Sequence, residues 1–222
     1  MSVSPSIGSS GVVTLSLFSN KKGIPDDVAI ISVLTENSIN GISTAKLVVQ
    51  DGDMQSQDFP VSNSETFDLG NEIEIYAGYG SHEEKIFQGI IVKHGLEITL
   101  ENKNLLHIEC GHIAENAARK KMSTTLLKID ASPSLIVTYG EDLMEFFGEI
   151  DGRIESSNPI TSQFHIQGHM KFQGSAKAQL GALIEIRRVG ARLSGRVLIW
   201  SVKHELTKGN WITEVKFYKH VS

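Results

Sequence analysis

The chain has 222 residues, 40% of them hydrophobic and 21% charged, so it is long enough for one large or two small domains and too apolar for a disordered chain. A net charge of −5 argues against a nucleic-acid partner, which would require a cationic face. The single cysteine, Cys110, excludes an intrachain disulfide, and no apolar run approaches the roughly 18 residues of a membrane helix.

The elements follow in chain order. MSVSPSIGSSGVVTLSLFSN has no basic residues ahead of its apolar ones, and VVTLSLF alternates with Thr and Ser, which predicts a strand rather than a signal peptide. Ile30 to Thr35 alternate with period two. After the Ile39-Asn40-Gly41 turn, Ala45, Leu47 and Val49 form one face of a second strand. Asp51-Gly52-Asp53 has turn chemistry and is too short for a calcium loop. A polar loop with Pro60 follows, and strands are predicted at 71–79, 84–100 and 103–110. Ile113 to Arg119 is alanine-rich with basic residues at its end, which predicts one short helix. Residues 123–133 read as a junction. Beyond it, strands are predicted near 135–139, 144–150, 163–172, 182–188, 196–206 and 211–218.

One pattern occurs twice. GNEIEIYAGYGSHEEKIFQGIIVKHG and GALIEIRRVGARLSGRVLIWSVKHEL both open with Gly-x-x-Ile-Glu-Ile, pass a glycine-containing turn and run into Val-Lys-His. Gly70, Ile73 and Ile75 correspond to Gly181, Ile184 and Ile186, and Lys93 and His94 to Lys203 and His204, with one residue lost in the turn. Val92, His94 and Leu96 share a strand face, as do Val202, His204 and Leu206. The fold class predicted is mainly β: two similar tube-like antiparallel β-barrels in tandem with a short helix, duplicated within the chain. The first barrel is placed at 1–122, the junction at 123–133 and the second barrel at 134–222. The four isoleucines are predicted core or inter-barrel positions. Both histidines are predicted to be partly buried structural groups.

No constellation points to catalysis, a cofactor or a metal. His107 and Cys110 fall on opposite faces of an alternating strand, and His165 and His169 are spaced too far apart to grip one ion. Glu141, Asp142, Glu145 and Glu149 could supply a carboxylate pair, but read better as an acidic strand edge that blocks unwanted pairing. Gly-x-Ser-x-Gly is absent, and Gly78-Tyr79-Gly80 is a hairpin turn rather than a phosphate loop.

ISVLTENSINGISTAKLVVQDGD, FPVSNSETFDLGNEIEIYAGYG and IFQGIIVKHGLEI resemble the first barrel of VgrG-type proteins. ASPSLIVTYGEDLMEFFGEIDGR, HMKFQGSAKAQLGALIEI, VGARLSGRVLIWSVKHEL and GNWITEVKF resemble the closing barrel of that family. These are hub and spike proteins of type VI secretion and of phage-tail-like contractile injection particles, similar to the baseplate hub of contractile phages. The resemblance implies a non-enzymatic hub adaptor, a homotrimer whose six barrels match a hexameric tube to a trimeric spike. The alternative is a tube or tube-initiator protein of the same kind of particle. The implied partners are the chain itself, a hexameric tube protein and spike or baseplate proteins, with no nucleic acid and no membrane insertion by this chain. The implied location is an injection particle assembled from protein made in the cytoplasm without a signal peptide, then secreted or released. Family members usually carry a longer segment between the barrels and continue into a spike. Here Lys120-Lys121-Met122 passes almost directly into Ile129-Asp130-Ala131-Ser132-Pro133, so the match is to the hub region, with the middle segment and spike absent.

Overall fold

Alternation of apolar β-branched residues with polar ones governs this chain from end to end. The computed structural model describes residue 5 and residues 11–39, 41–52, 55, 57–99, 103–112, 132–153 and 163–221. Its strands are β1 (Val13–Ser19), β2 (Lys22–Gly23), β3 (Ile30–Ser38), β4 (Thr44–Gln50), β5 (Glu72–Tyr79), β6 (His82–Glu97), β7 (Leu105–Gly111), β8 (Leu135–Thr138), β9 (Leu143–Arg153), β10 (Gln163–Gln173), β11 (Leu183–Arg187), β12 (Gly195–Thr207) and β13 (Asn210–Val221). A 3-10 turn at Glu65–Phe67 interrupts the loop before β5, capped by the Ser64 hydroxyl accepting from the Thr66 amide. The predicted helix at Ile113 to Arg119 and most of the predicted junction lie outside the described residues.

Two compact units emerge. The N-terminal unit comprises Val12–Ser123 and His204–Trp211. The C-terminal unit comprises Met1–Gly11, Thr124–Lys203 and Ile212–Ser222. In the N-terminal unit the strand order is β2-β1-β5-β6-β7-β4-β3, and the tip of the β12–β13 hairpin follows β3. Ala45, Leu47 and Val49 of β4, Ile73, Ile75 and Ala77 of β5, and Leu106, Ile108 and Cys110 of β7 are buried. On each strand these residues alternate with outward-facing neighbours, as a half-buried sheet requires. In the C-terminal unit the order is β8-β11-β12-β13-β10-β9. Its core gathers Leu135 and Val137 of β8, Met170 and Phe172 of β10, Ile184 and Ile186 of β11, Val197 and Ile199 of β12, and Val215 and Phe217 of β13.

The two orders correspond strand for strand: β1-β5-β6-β7-β4-β3 against β8-β11-β12-β13-β10-β9. They differ at the first strand, because β1 is antiparallel to β5 whereas β8 is parallel to β11. Closed barrels were predicted from the sequence, and the sheet is open instead. Closure needs end strands of matched length that can carry the ladder from last to first. Here β2 has only two residues and touches only the end of β1, and β8 has four. Among the described residues, β8 and β9 at the ends of their order do not pair with each other.

Candidate functional site

The repeated hairpins are closed by the same hydrogen bonds. Gly70 sits at φ +90° and its amide donates to the Ile91 carbonyl at 2.9 Å, while the Ile91 amide donates back to Asn71 at 3.0 Å. Gly181 sits at φ +76° and donates to Ile199 at 2.9 Å, and Ile199 donates to Ala182 at 3.0 Å. Only glycine adopts such a φ without a Cβ penalty, which explains the residue that opens each copy. Ladder register agrees: Ile73 lies opposite Gly89 and Ile75 opposite Phe87, while Ile184 lies opposite Val197 and Ile186 opposite Gly195. All four isoleucines are fully buried. These bonds equate Ile91 with Ile199, so the second turn is shorter by three residues rather than one. Two residues, Trp200 and Ser201, are then gained before Val202. At the matching point β6 instead has a bulge between Ile91 and Lys93.

Beyond that point the two hairpins part. Val202, His204 and Leu206 are buried, whereas Val92, His94 and Leu96 are exposed. The partly buried environment predicted for both histidines therefore fits neither. His204 is enclosed, with its Nδ1 accepting from the Trp211 indole Nε1 at 3.3 Å. Trp211 also stacks on Tyr79, with ring centroids 5.5 Å apart. Lys93 is exposed, with its ammonium 3.7 Å from Glu109, and Lys203 is half-buried.

Burial pushes the His204 imidazole down to about 3, because the cation has no water to solvate it. A folded value below the unfolded one of about 6.5 means that the unfolded chain binds the extra proton between those limits. The His204 contribution is therefore complete above about pH 6.5 and is lost progressively as pH falls toward 3. Chemical denaturation should show stability falling as pH drops below about 6.5, and His204→Gln should make that fall less steep.

The remaining sequence candidates separate. His107 bonds to Glu97 at 2.8 Å on the outer face, while Cys110 lies buried on the other, its thiol pushed up to about 12 by burial. His165 and His169 stand opposite Asp151 and Phe147 on the β10–β9 ladder. Glu145 is held below the usual carboxylate range by hydrogen bonds from Lys171 and then His169. Glu149 accepts from Gln167 and Glu141 from Arg188. Asp142 turns inward, and its Oδ2 accepts from the Thr138 amide at 2.8 Å. Asp51 is buried and accepts three backbone amides, those of Gly52, Val61 and Ser62, which ties the polar loop to the end of β4. Its carboxylate is thus occupied by the chain itself. Among the described residues no three His, Cys, Asp or Glu side chains converge as metal ligands.

What stands out on the surface is apolar. Val92, Leu96 and Ile98 are exposed on or just past β6, and Met144, Phe147 and Ile150 on β9. An open groove beside β9 is lined by Tyr139, Leu143, Met144, Phe146, Phe147 and Leu193. Of the two strands only β9 stands at the end of its order, and exposed apolar side chains on an end strand are a common feature of interaction surfaces. The acidic residues of β9 are legible in the sequence as edge charges; the apolar residues between them give no signal until the strand order is known.

Two solved structures share the fold over nearly their full length. The tail protein from Neisseria meningitidis MC58 aligns over 94% of this chain and 97% of its own, with a TM-score of 0.62 and 7% identity. The 43 kDa tail protein of prophage MuSo2 from Shewanella oneidensis aligns over 91% and 95%, with a TM-score of 0.59 and 8% identity. At these identities the likeness is one of fold. No curated protein matches the chain. A family model, described as the Alg8 N-terminal domain, matches residues 9–132 and 154–208, which is well over half of the sequence. The chain belongs to the Alg8 N-terminal domain family.

Proposed function

We propose that this chain is a non-enzymatic hub of a contractile injection particle, a homotrimer that matches a hexameric tube to a trimeric spike. The observation that carries the reading is the correspondence of the two units within one chain. Each is built on a hairpin opened by a positive-φ glycine and closed by the same pair of backbone hydrogen bonds. Three copies of a chain with two such units present six similar units, and six is the number that a hexameric tube presents. Heterologous contacts with a fixed rotation close such a ring without leftover edges. The shared fold with two tail proteins supports the same reading.

Electron microscopy of the purified chain tests it. Top views should show a ring of six lobes with three-fold symmetry around a central opening. Isolated single-chain particles at every concentration would reject the hub reading.

A further inference from the structure

The N-terminal unit does not end on its own last strand. Past β3 the order continues into β12, and the tip of the β12–β13 hairpin, His204–Trp211, belongs to this unit. The tip is well covered: His204, Leu206 and Trp211 are at most 4% exposed, and Val33 and Thr35 of β3 are fully buried.

The C-terminal unit has a corresponding last strand without a corresponding cover among the described residues. Strand β9 occupies the place of β3, but among the described residues it pairs only with β10. Among the described residues nothing pairs along its other edge. Met144, Phe147 and Ile150 on it are 57%, 51% and 43% exposed. A long edge strand with exposed apolar residues is a template for another strand.

The N-terminal unit supplies the converse, a hairpin whose far half has no second strand beside it among the described residues. The β6–β7 hairpin occupies the place of β12–β13. Pairing of β5 with β6 ends at Glu72 and Ile90, so among the described residues those past Ile91 pair only with β7. Val92, Leu96 and Ile98 are 55%, 41% and 65% exposed there. The matching Val202 and Leu206 of the covered hairpin are 1% and 4% exposed. The same residue types in the same sequence pattern are thus sealed in one hairpin and bare in the other.

We infer that the β6–β7 tip of one copy adds onto the β9 edge of the next, repeating between chains the arrangement that the β12–β13 tip makes beside β3 within a chain. The occupant of the β9 edge is a second copy of this chain, because the cover that the corresponding strand β3 receives is a hairpin tip of this same design. The contact is heterologous, with a tip on one surface and an edge on another, so each copy both gives and receives. The pairing stands on the strand order and exposures above; that the ring closes at three copies rests on the hub reading.

Cross-linking tests it. Leu96→Cys is combined in turn with Met144→Cys, Phe147→Cys and Ile150→Cys and treated with a short bismaleimide; the buried Cys110 thiol stays silent. At least one pair should give covalent dimers and trimers, while each single-cysteine chain stays monomeric on a denaturing gel. Leu96→Lys and Ile150→Lys, both at exposed positions, should retain the circular dichroism of the parent and shift its solution mass from three chains to one. Leu69→Lys, exposed elsewhere, should leave the mass unchanged. A parent that is trimeric by light scattering, with no pair cross-linking and Leu96→Lys still trimeric, would overturn this contact and leave the hub reading standing. A parent that is monomeric throughout would overturn both. Leu96→Cys cross-linking to itself would replace the head-to-tail contact with a two-fold one.

Discussion

Ile184→Asp yields no soluble, folded protein. Ile184 has no exposed surface and belongs to the core formed by β8, β10, β11, β12 and β13. Replacing it removes a buried aliphatic side chain, worth about 2–5 kcal/mol in large-to-small substitutions. A carboxyl group is placed among the apolar side chains of that core, which adds several kcal/mol whether it ionises or takes up a proton. The sum reaches the roughly 5–15 kcal/mol that separates native from unfolded in ordinary domains. Ile73→Asp, Ile75→Asp and Ile186→Asp should behave alike, since all four positions are closed to solvent. Soluble yield and far-ultraviolet circular dichroism are the readouts, with Leu69→Asp as a surface control expected within about 0.5 kcal/mol of the parent. A folded Ile184→Asp protein would contradict the packing described for β11.

Trp211→Ala has the second largest effect and acts on the N-terminal unit. Truncating a buried tryptophan costs about 3–5 kcal/mol. Trp211 is nearly inaccessible, stacks on Tyr79 and donates its indole hydrogen to His204. Trp211→Phe keeps most of the packing and removes only the donor, so its cost should be about 1–3 kcal/mol, that of a buried ring nitrogen left without its bond. Denaturant midpoints should fall in the order parent, Trp211→Phe, Trp211→Ala, with similar slopes. Equal midpoints for parent and Trp211→Ala would mean that the hairpin tip carries no stability.

Much of the strand content is legible in the sequence because burial on one face leaves a period of two that is written residue by residue. Ala45, Leu47 and Val49 are the plainest case, and the opposite facing of His107 and Cys110 follows from the same rule. Closure of the sheet is not legible, because it depends on whether strands far apart in the chain meet, and the two-residue β2 and four-residue β8 are too short to advertise an end. The histidines show the limit most clearly. Val92-Lys93-His94 and Val202-Lys203-His204 are identical triplets on strands of the same pattern, yet one is bare and the other largely buried. The difference lies in what covers them, which no local pattern encodes. The isoleucine pairs are legible because their cover is the sheet's own core, whereas Met144, Phe147 and Ile150 become informative only once β9 is seen at the end of its order.

The proposed ring of six units needs three chains, each giving two. Light scattering behind size exclusion measures this directly on the purified chain. A trimeric hub gives a single species of about 73 kDa, three times the 24.3 kDa of one chain. A species at 24.3 kDa that persists as concentration rises would contradict it.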